Sequence, residues 1–335
     1  MKNDLPRIGI TMGDPAGVGP EIIIKALSGG EKTRDYIPLI IGDYELLSRC
    51  ADELRCGIRL VSVDNPGQPV NDGSIAVLSL TKLGHIKPGS ISKEAGKASG
   101  IYIEKGAALA MDGLVEGIVT APINKESFNL GGFSYPGHTE FLAHLTSTED
   151  YAMMLMGDSL KVILLTIHCA LMEVAGRLSV SDTLRIIRLS NESLKKFFGI
   201  AEPRLALASL NPHAGEGGLF GREEEHILIP ASDEARKEGI DVTRPLPSDT
   251  LFFSAVRGAY DAVICPYHDQ GLIPLKLLHF EDGVNVTLGL PIVRTSPDHG
   301  TAYDIAGKGV ASSESIEAAI KVAVSMALAK RSFLK

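Results

Sequence analysis

Short apolar runs alternate with amphipathic runs along the whole chain. Apolar runs bounded by turn residues are typical of strands buried in a parallel sheet, and the amphipathic runs between them predict covering helices. The first part of the pattern predicts strands over 7–12, 36–43, 58–63, 75–80 and 116–123, a helix that begins near Pro20, and a helix over Glu94–Met111. The sequence therefore predicts an α/β/α fold.

Three later apolar runs have a histidine at or next to their ends. They cover 160–168 (LKVILLTIH), 204–213 (RLALASLNPH) and 260–269 (YDAVICPYHD). Before them, the stretch 129–140 (NLGGFSYPGHTE) is rich in glycine and proline, which predicts a loop.

The three histidines are His168, His213 and His268. Ligands of parallel α/β sheets bind outside the carboxyl ends of the strands, so three strands that each deliver an imidazole there predict a shared site. Neutral imidazole is a good ligand for zinc and similar divalent ions, and three histidines leave coordination positions open for a substrate. Asp269 follows His268 directly and is a candidate to orient an imidazole, with capping of the next helix as an equal alternative.

A second group of residues suits a phosphorylated or carboxylated substrate. Arg294 lies in the apolar run LGLPIVRTS, where burying a guanidinium requires an anionic partner. His138 and Thr139 in PGHTE, with Lys276 and Asn285, are the other candidates. Lys276 could instead be a surface lysine with a buried stem, and His138 and Thr139 could cap a helix.

Composition and charge exclude several classes of protein. A formal net charge of −8 without a basic run argues against a nucleic-acid partner. Four cysteines without CxxC spacing predict reduced thiols, and the absence of a long apolar segment predicts a cytoplasmic chain with no membrane span. The glycine-rich turns 13–21 (GDPAGVGPE) and 214–221 (AGEGGLFG) fit neither GxGxxG nor GxxxxGK[ST], which disfavours Rossmann and P-loop nucleotide sites.

Two motifs resemble those of metal-dependent dehydrogenases. The segment 298–309 (DHGTAYDIAGKG) resembles the HGxAxDIAGxG loop that contacts the adenosine part of NAD in isopropylmalate and isocitrate dehydrogenases, and GDPAGVGPEI resembles their GDGIGPE turn. A fuller resemblance, to the 4-hydroxythreonine-4-phosphate dehydrogenase family of pyridoxal phosphate synthesis, runs through nearly the whole chain. Its motifs are ITMGDPAGVGPE, TAPINK, YPGHTEF, LNPHAGEGG, PSDTLF, YHDQG, VNVTLGLPIVRTS and DHGTAYDIAG.

The resemblance implies a role for each candidate residue. It implies that His168, His213 and His268 hold one divalent ion (Zn, Mg, Mn or Co). It also implies that His138, Thr139, Lys276, Asn285 and Arg294 contact substrate, and that His299, Gly300, Ala302 and Asp304 contact NAD, with NADP as the alternative. Family members resemble isocitrate and isopropylmalate dehydrogenases in fold. They are homodimers with the active site in the interdomain cleft at the dimer interface, and one metal histidine, here His268, would come from the partner.

The two NAD-side motifs lie near opposite ends of the chain, which predicts two domains. Residues 1–125 and 290–335 would form the NAD-side domain, and 126–289 the domain for metal, substrate and dimerisation.

The expected activity is NAD-linked oxidation of 4-phosphohydroxy-L-threonine at C3, followed by loss of carbon dioxide to give 3-amino-2-oxopropyl phosphate. A sister group acts on 4-phospho-D-threonate or 4-phospho-D-erythronate and gives dihydroxyacetone phosphate, and stretches such as IPLKLLHFEDGVN resemble it; His279 replaces a small residue there. Candidates for the proton-transfer base are Asp269, Asp249 and Lys276. A zinc hydrolase and a non-catalytic metabolite-binding protein are the competing classes.

Overall fold

The computed structural model describes residues 5–28, 34–71 and 73–335. Its strands, in chain order, are β1 (Arg7–Thr11), β2 (Ile37–Gly42), β3 (Arg59–Val63), β4 (Ser74–Ser79), β5 (Gly117–Thr120), β6 (Ala152–Met156), β7 (Lys161–Leu164), β8 (Leu205–Leu207), β9 (Ala262–Cys265), β10 (Val284–Leu288) and β11 (Val293–Pro297). Its α-helices are α1 (Gly19–Ser28), α2 (Tyr44–Glu53), α3 (Lys93–Met111), α4 (Lys125–Leu130), α5 (His138–Leu145), α6 (Val174–Arg177), α7 (Val180–Phe198), α8 (Ile229–Lys237), α9 (Ser248–Ala255), α10 (His268–Leu278) and α11 (Glu314–Phe333).

The chain divides into two compact units. Unit 1 comprises Met1–Glu149 and Leu290–Leu328, and unit 2 comprises Asp150–Gly289 and Ala329–Lys335. The alternation of strands and helices confirms the predicted α/β class. The predicted first boundary lies after residue 125, and the first segment of unit 1 continues to Glu149, so that α4 and α5 belong to unit 1. The assignment of NAD to one domain, and of metal, substrate and dimerisation to the other, stays a prediction.

The sheet of unit 1 is entirely parallel among the strands paired within it. The strand order is β3-β4-β2-β1-β5-β11. The inner strands are apolar and buried, and Ile8, Ile10 and Ile118 are fully inaccessible to solvent. Because parallel strands with helices on their faces are buried on both sides, they carry continuous apolar runs, which is the pattern that the sequence shows.

Helix α4 stays with unit 1 because glycines let it lie directly against α3. A Cβ atom built on Gly96 would lie 1.7 Å from the carbonyl oxygen of Ser127, and one on Gly131 would lie 2.4 Å from the amide nitrogen of Lys97. Phe133 then packs over Gly100 and stacks on Phe128, with ring centroids 4.9 Å apart. The predicted loop over 129–140 therefore contains the end of α4 and the start of α5.

This close approach gives a stability prediction. Gly96→Ala is expected to lower the free energy of unfolding by about 2 kcal/mol or more, because the new methyl group would displace the backbone of α4. Gly176→Ala is the matched control, since a Cβ built there meets nothing within 4 Å. Urea denaturation of the two variants measures the difference, and equal midpoints would contradict this account of the packing.

The sheet of unit 2 is mixed. The strand order is β10-β6-β7-β9-β8, in which β6 pairs antiparallel with β10 and β7, while β7, β9 and β8 are mutually parallel neighbours. The core of unit 2 lies on this sheet and includes Val162, Leu164, Val263 and Leu275. The predicted strands over 160–168, 204–213 and 260–269 are confirmed in position but end earlier, so that each histidine follows its strand in a connecting segment or at a helix start.

Two expectations about the chain as a whole concern its cysteines and membrane segments. All four cysteines are free thiols. Over the ranges that the structure describes, no helix combines the length and the apolar character needed to cross a bilayer.

Candidate active site

The three histidine-bearing segments leave the same edge of the unit 2 sheet. Strands β7, β9 and β8 are adjacent and parallel, so their carboxyl ends lie side by side. His168 follows β7, His268 begins α10 after β9, and His213 follows β8. The topology therefore supports the predicted convergence of these three segments.

Backbone hydrogen bonds hold the His168 and His268 segments together beyond the strands. The amides of Leu165 and Thr166 donate to the carbonyl oxygens of Cys265 and Pro266, at 2.9 and 3.2 Å. The Thr166 hydroxyl donates to the same Pro266 oxygen at 2.7 Å. These bonds continue the pairing of β7 and β9 and fix where the segments that carry His168 and His268 leave the sheet.

His168 and His268 lie next to each other. Their ring centroids are 5.6 Å apart and their planes are inclined by 44°. Imidazoles that share one zinc ion, at metal–nitrogen distances of about 2.0–2.1 Å, have ring centres about 5–6 Å apart. The pair therefore fits two ligands of one divalent ion.

Asp269 is placed to orient His268. The Nδ1 atom of His268 and the Oδ1 atom of Asp269 are 2.7 Å apart, which leaves Nε2 of His268 available for a metal. A carboxylate bonded to the other ring nitrogen is the usual support of a metal-binding histidine. Asp269 also lies in the first turn of α10, but the N-cap position is Tyr267 and no side chain caps the helix, so the bond to His268 favours the orienting role.

The described part of the chain does not bring a third ligand to this pair. Among the described residues, no three or more histidine, cysteine, aspartate or glutamate side chains are grouped to hold a metal ion. The donor chemistry of the His168–His268 pair fits a divalent ion, and a complete site needs a further ligand. That His168, His213 and His268 hold one ion, with His268 supplied by a partner subunit, stays a prediction.

His213 lies in a left-handed turn. The backbone from His213 to Gly217 has φ values between 42° and 79°, and three of its residues, His213, Ala214 and Glu216, are not glycine. Left-handed backbone costs a residue with a side chain about 1–2 kcal/mol. Because strain of this kind persists only where the surroundings determine it, the turn is a candidate functional segment. The predicted glycine-rich turn 214–221 is thus an unusual local structure.

The other unit 2 candidates lie on elements around this edge. Asp249 is exposed in the first turn of α9, and Lys276 is half-buried near the end of α10, with its ammonium 5.6 Å from the ring centroid of Phe280. Asn285 is half-buried on β10. Gln270 connects α10 to the segment after β8 and to α9. Its Nε2 atom donates to the Ser209 carbonyl and to the Ser248 hydroxyl, at 2.6 and 2.8 Å.

Unit 1 contains a buried cationic group around Arg294. This arginine lies on β11 and is 3% exposed, and its Nε and Nη2 atoms donate to the Thr120 hydroxyl at 3.2 and 2.9 Å. Burial lowers the pKa of the guanidinium to about 10, against the opposing charge of Glu140. A buried cation of this kind favours binding of an anion.

His138 and Thr139 lie in the first turn of α5, near Arg294. The Nε2 atom of His138 is buried and has no hydrogen-bond partner within the described ranges. Burial, reinforced by the positive charge of Arg294, lowers the pKa of His138 well below its ordinary value. A neutral imidazole with a buried, unpaired nitrogen beside a buried guanidinium is suited to a polar, anionic ligand.

The depressed pKa of His138 predicts a pH effect on stability. Below about pH 6.5 the unfolded chain binds a proton that folded His138 does not, so the free energy of unfolding falls as the pH falls. Between pH 7.5 and 5.5 the wild-type chain is expected to lose about 1 kcal/mol more than His138→Gln. Urea titrations at both pH values measure this difference, and parallel losses would contradict a buried neutral imidazole.

The two glycine-rich motifs near opposite ends of the chain meet in unit 1. The Val18 amide donates to the Thr301 carbonyl at 3.0 Å, and the Tyr303 hydroxyl donates to the Asp14 carboxylate at 2.7 Å. Burial raises the pKa of Asp14. The carboxylate of Glu21 accepts from the amides of Gly309 and Ala311, among other donors. The turn after β1 and the 298–309 loop therefore form one structure, as their joint assignment to an NAD side requires.

A cavity of about 240 Å³ opens beside these two loops in unit 1. Its lining includes Gly17, Arg49, His85 and Lys308. The lining part of the 298–309 loop is Gly307–Gly309, whereas the predicted contacts His299, Gly300, Ala302 and Asp304 do not line this cavity. His299, Gly300 and Asp304 are exposed, and their assignment to the cofactor stays a prediction.

Sequence reasoning missed several residues of these sites. Thr120, which accepts from Arg294, lies in the TAPINK motif but was given no role. Gln270 lies in the YHDQG motif but was given no role either. Spacing carries no signal for such residues, because their partners are distant in sequence.

Comparisons with known proteins address the family. The family model described as pyridoxal phosphate biosynthetic protein PdxA matches residues 34–323. The chain belongs to the PdxA family. This confirms the family predicted from the motifs. A 4-hydroxythreonine-4-phosphate dehydrogenase of Desulforapulum autotrophicum is 49% identical, with 96% of each chain covered.

PdxA relatives that are named D-threonate 4-phosphate dehydrogenase are nearly as similar to the chain as those named 4-hydroxythreonine-4-phosphate dehydrogenase. A D-threonate 4-phosphate dehydrogenase of Salmonella typhimurium is 46% identical, covering 96% of this chain and 98% of its own length. The crystal structure of a 4-hydroxythreonine-4-phosphate dehydrogenase from Klebsiella pneumoniae superposes with a TM-score of 0.88 at 43% identity, covering 96% and 99% of the two chains. The predicted dehydrogenase class is confirmed, and both predicted substrate groups occur among PdxA relatives.

Proposed function

We propose that this chain is a metal-dependent, NAD-linked dehydrogenase that oxidises 4-phosphohydroxy-L-threonine at C3, after which the product loses carbon dioxide to give 3-amino-2-oxopropyl phosphate. The observation that carries the proposal is the His168–His268 pair at the edge of β7 and β9, with Asp269 bonded to His268. Family membership supports the dehydrogenase class.

The proposal gives each group of side chains a task. Arg294, His138 and Thr139 bind an anionic group of the substrate, because they combine a buried guanidinium with a buried polar nitrogen. His168, His213 and His268 would hold the divalent ion, which when bound supplies positive charge next to the oxygen on which negative charge develops.

The remaining polar candidates supply the base and further substrate contacts. The candidates for the proton-transfer base at the C3 hydroxyl are Asp249, Lys276 and Asp269, the last of which is bonded to His268. Asp249 and Lys276 lie on helices next to the histidine segments. Asn285 and Lys276 would contact substrate.

For the cofactor, we assign NAD to the joined loops of unit 1. The cavity beside Gly17 and Gly307–Gly309 is formed by the two motifs whose sequences resemble NAD-side loops. The backbone of glycine allows a ligand to approach closely. NADP is the alternative, because Arg49 and Lys308 in the same lining are suited to an additional phosphate.

The proposed active form is a homodimer. Large apolar side chains are exposed on one side of α10 and on nearby segments of unit 2, and they suit a second copy of the chain. They are Leu171, Met172, Leu219, Phe220, Ile273, Leu277 and Phe280. The resemblance assigns the partner's metal ligand to His268. Because His168 and His268 already lie together within one chain, His213, which lies on an exposed turn, is the alternative for the ligand that a partner subunit supplies.

D-threonate 4-phosphate is a second candidate substrate. Relatives with that name are 43% and 46% identical to the chain, close to the 49% of the first relative with the other name. His279, which stands in place of a small residue, is buried, and its ring packs over Gly157 and bonds to Ser159 and Asp282.

The test is a substrate comparison. Purified protein with NAD and zinc, magnesium, manganese or cobalt is assayed for NADH formation on 4-phosphohydroxy-L-threonine, 4-phospho-D-threonate and 4-phospho-D-erythronate. The proposal expects the highest kcat/KM on the first. A higher value on either of the others would replace it by the sister activity, and metal-dependent hydrolysis without NADH would favour a zinc hydrolase.

Subunit mixing tests the shared site. If two histidines of one site come from different subunits, mixing inactive His168→Ala and inactive His268→Ala chains restores about a quarter of the wild-type activity, since half of the dimers are mixed and each has one intact site. The same mixture with His213→Ala identifies which histidine crosses. No recovery in any mixture would contradict a site built from two subunits.

A further inference from the structure

The carboxylate of Glu224 lies under the turn that carries His213. Glu224 begins a short π-helical stretch, Glu224–Leu228, and is 2% exposed. Its Oε1 atom accepts from the backbone amides of Leu210 and Asn211, at 2.8 and 2.7 Å. Its Oε2 atom accepts from Nδ2 of Asn211 at 2.9 Å. One buried carboxylate therefore takes three hydrogen bonds from the two residues that precede Pro212 and His213.

The left-handed turn also packs directly on this carboxylate. A Cβ atom built on Gly215 would lie 2.9 Å from Oε2 of Glu224, and one on Gly221 would lie 2.5 Å from Nδ2 of Asn211. Both glycines have positive φ. The segment from Asn211 to Gly221, which contains the left-handed turn, thus packs around the side chain of Glu224.

The chemistry of these contacts requires a carboxylate. Three N–H donors converge on one side chain, and an ionised carboxylate accepts through both oxygens, whereas an amide accepts only through one. The Nδ2 atom of Asn211 also donates to Oε2 of Glu223 at 2.7 Å. A glutamine at position 224 would direct its NH₂ group at Nδ2 of Asn211, or leave the second N–H group of that nitrogen without its acceptor. A buried donor without an acceptor is costly, so glutamine would weaken the anchor of the turn.

We propose that Glu224 is a positioning residue: it holds the strained turn in the one conformation that presents the His213 imidazole to a divalent ion. This inference rests on the proposed metal role of His213. The imidazole itself is exposed, so that the turn, anchored at Asn211, is what determines its direction. Glu224 touches neither substrate nor metal in this account.

The test compares metal affinities of full-length variants without substrate. Cobalt(II) binding to dialysed protein is measured by competition with a chelator and by the visible absorption of the bound ion. Glu224→Gln is expected to bind cobalt at least about tenfold more weakly than the wild type, as supporting residues of metal ligands commonly do. Glu225→Gln, the same change at the exposed neighbouring position, is the matched control and is expected to bind like the wild type.

A second substitution separates positioning from general loss of stability. Ala214 has φ of 53°, which glycine adopts readily, so Ala214→Gly favours the turn without restoring any bond to position 224. The double variant Glu224→Gln/Ala214→Gly is expected to recover part of the lost affinity. If Glu224→Gln does not fold, Glu224→Asp, which keeps the charge but is one methylene shorter, replaces it and is expected to bind cobalt more weakly than Glu225→Gln.

The outcomes distinguish this inference from the proposed function. Cobalt affinity of the Glu224 variant equal to that of Glu225→Gln would overturn the positioning role, while the metal site would stand if His213→Ala still binds cobalt more weakly than the wild type. Cobalt affinity unchanged in His213→Ala would instead overturn the proposed metal role of His213, and with it the reason for a positioning residue.

Discussion

His168→Ala is expected to lower kcat/KM for NADH formation about a thousandfold, because a metal ligand contributes several kcal/mol of transition-state stabilisation. His168 follows β7 and lies next to His268, so its loss removes one of the two imidazoles that the structure places together. Bound zinc or cobalt per chain is expected to fall in parallel. Steady-state kinetics and metal analysis of the same preparation measure both effects.

The control for this prediction is His226→Ala. His226 is an exposed histidine of unit 2 and is not one of the three predicted metal ligands, so its loss is expected to leave both kcat/KM and metal content at the wild-type level. Retention of full activity by the His168 variant, with the control also active, would show that His168 is not a ligand of the working enzyme.

Arg294→Met is expected to lower kcat/KM about a hundredfold to a thousandfold, since truncating one partner of a buried charged pair costs about 2–5 kcal/mol. Without substrate, the melting temperature is expected to be no lower than that of the wild type. The reason is that Arg294 is only 3% exposed, and burial disfavours the charged guanidinium and lowers its pKa. Kinetics and thermal unfolding of the same protein give the two readouts.

Arg294→Lys and Arg7→Met complete this comparison. Lysine keeps the charge but not the planar fork, so it is expected to recover only part of the activity. Arg7 lies in the same unit at the surface, where its Nη1 donates to a backbone carbonyl at 3.4 Å, and its replacement is expected to leave kcat/KM unchanged. A melting temperature well below the wild-type value for Arg294→Met would contradict an anion-binding role and favour a structural one.

The strand-end histidines could be predicted because the determining physics is local and repetitive. A buried parallel strand requires a continuous apolar run, and the residue after the run leaves at a known edge of the sheet. The sequence does not contain the strand order, yet β7, β9 and β8 prove to be neighbours, which is what the three histidines required. Arg294 could be predicted in the same way, as a charge in an apolar strand.

The boundary between the units and the contacts of the NAD-side loops depend on contacts between residues that are far apart in the sequence. Helix α4 packs closely against α3 because Gly96 and Gly131 have no Cβ atoms to separate the two helices. The local sequence pattern does not show which backbone each glycine contacts. The Tyr303–Asp14 bond likewise joins residues from opposite ends of the chain. The motifs indicated that these loops belong together but did not give their contacts.

The left-handed turn at His213 could not be predicted from the sequence for a different reason. Glycines at 215, 217 and 218 signal an irregular backbone, but His213, Ala214 and Glu216 have side chains that ordinarily avoid positive φ. Their conformation is determined by tertiary contacts such as those of Glu224, whose place in an acidic run is typical of a solvated surface.

The central claim is that His168, His213 and His268 bind one divalent ion in the assembled protein. X-ray absorption of the cobalt-loaded or zinc-loaded full-length enzyme counts the imidazole ligands directly, because each ring gives a characteristic scattering pattern. The account predicts one ion per chain with three histidine nitrogens, falling to two in His213→Ala. An ion bound by two imidazoles or fewer in the wild type would contradict it.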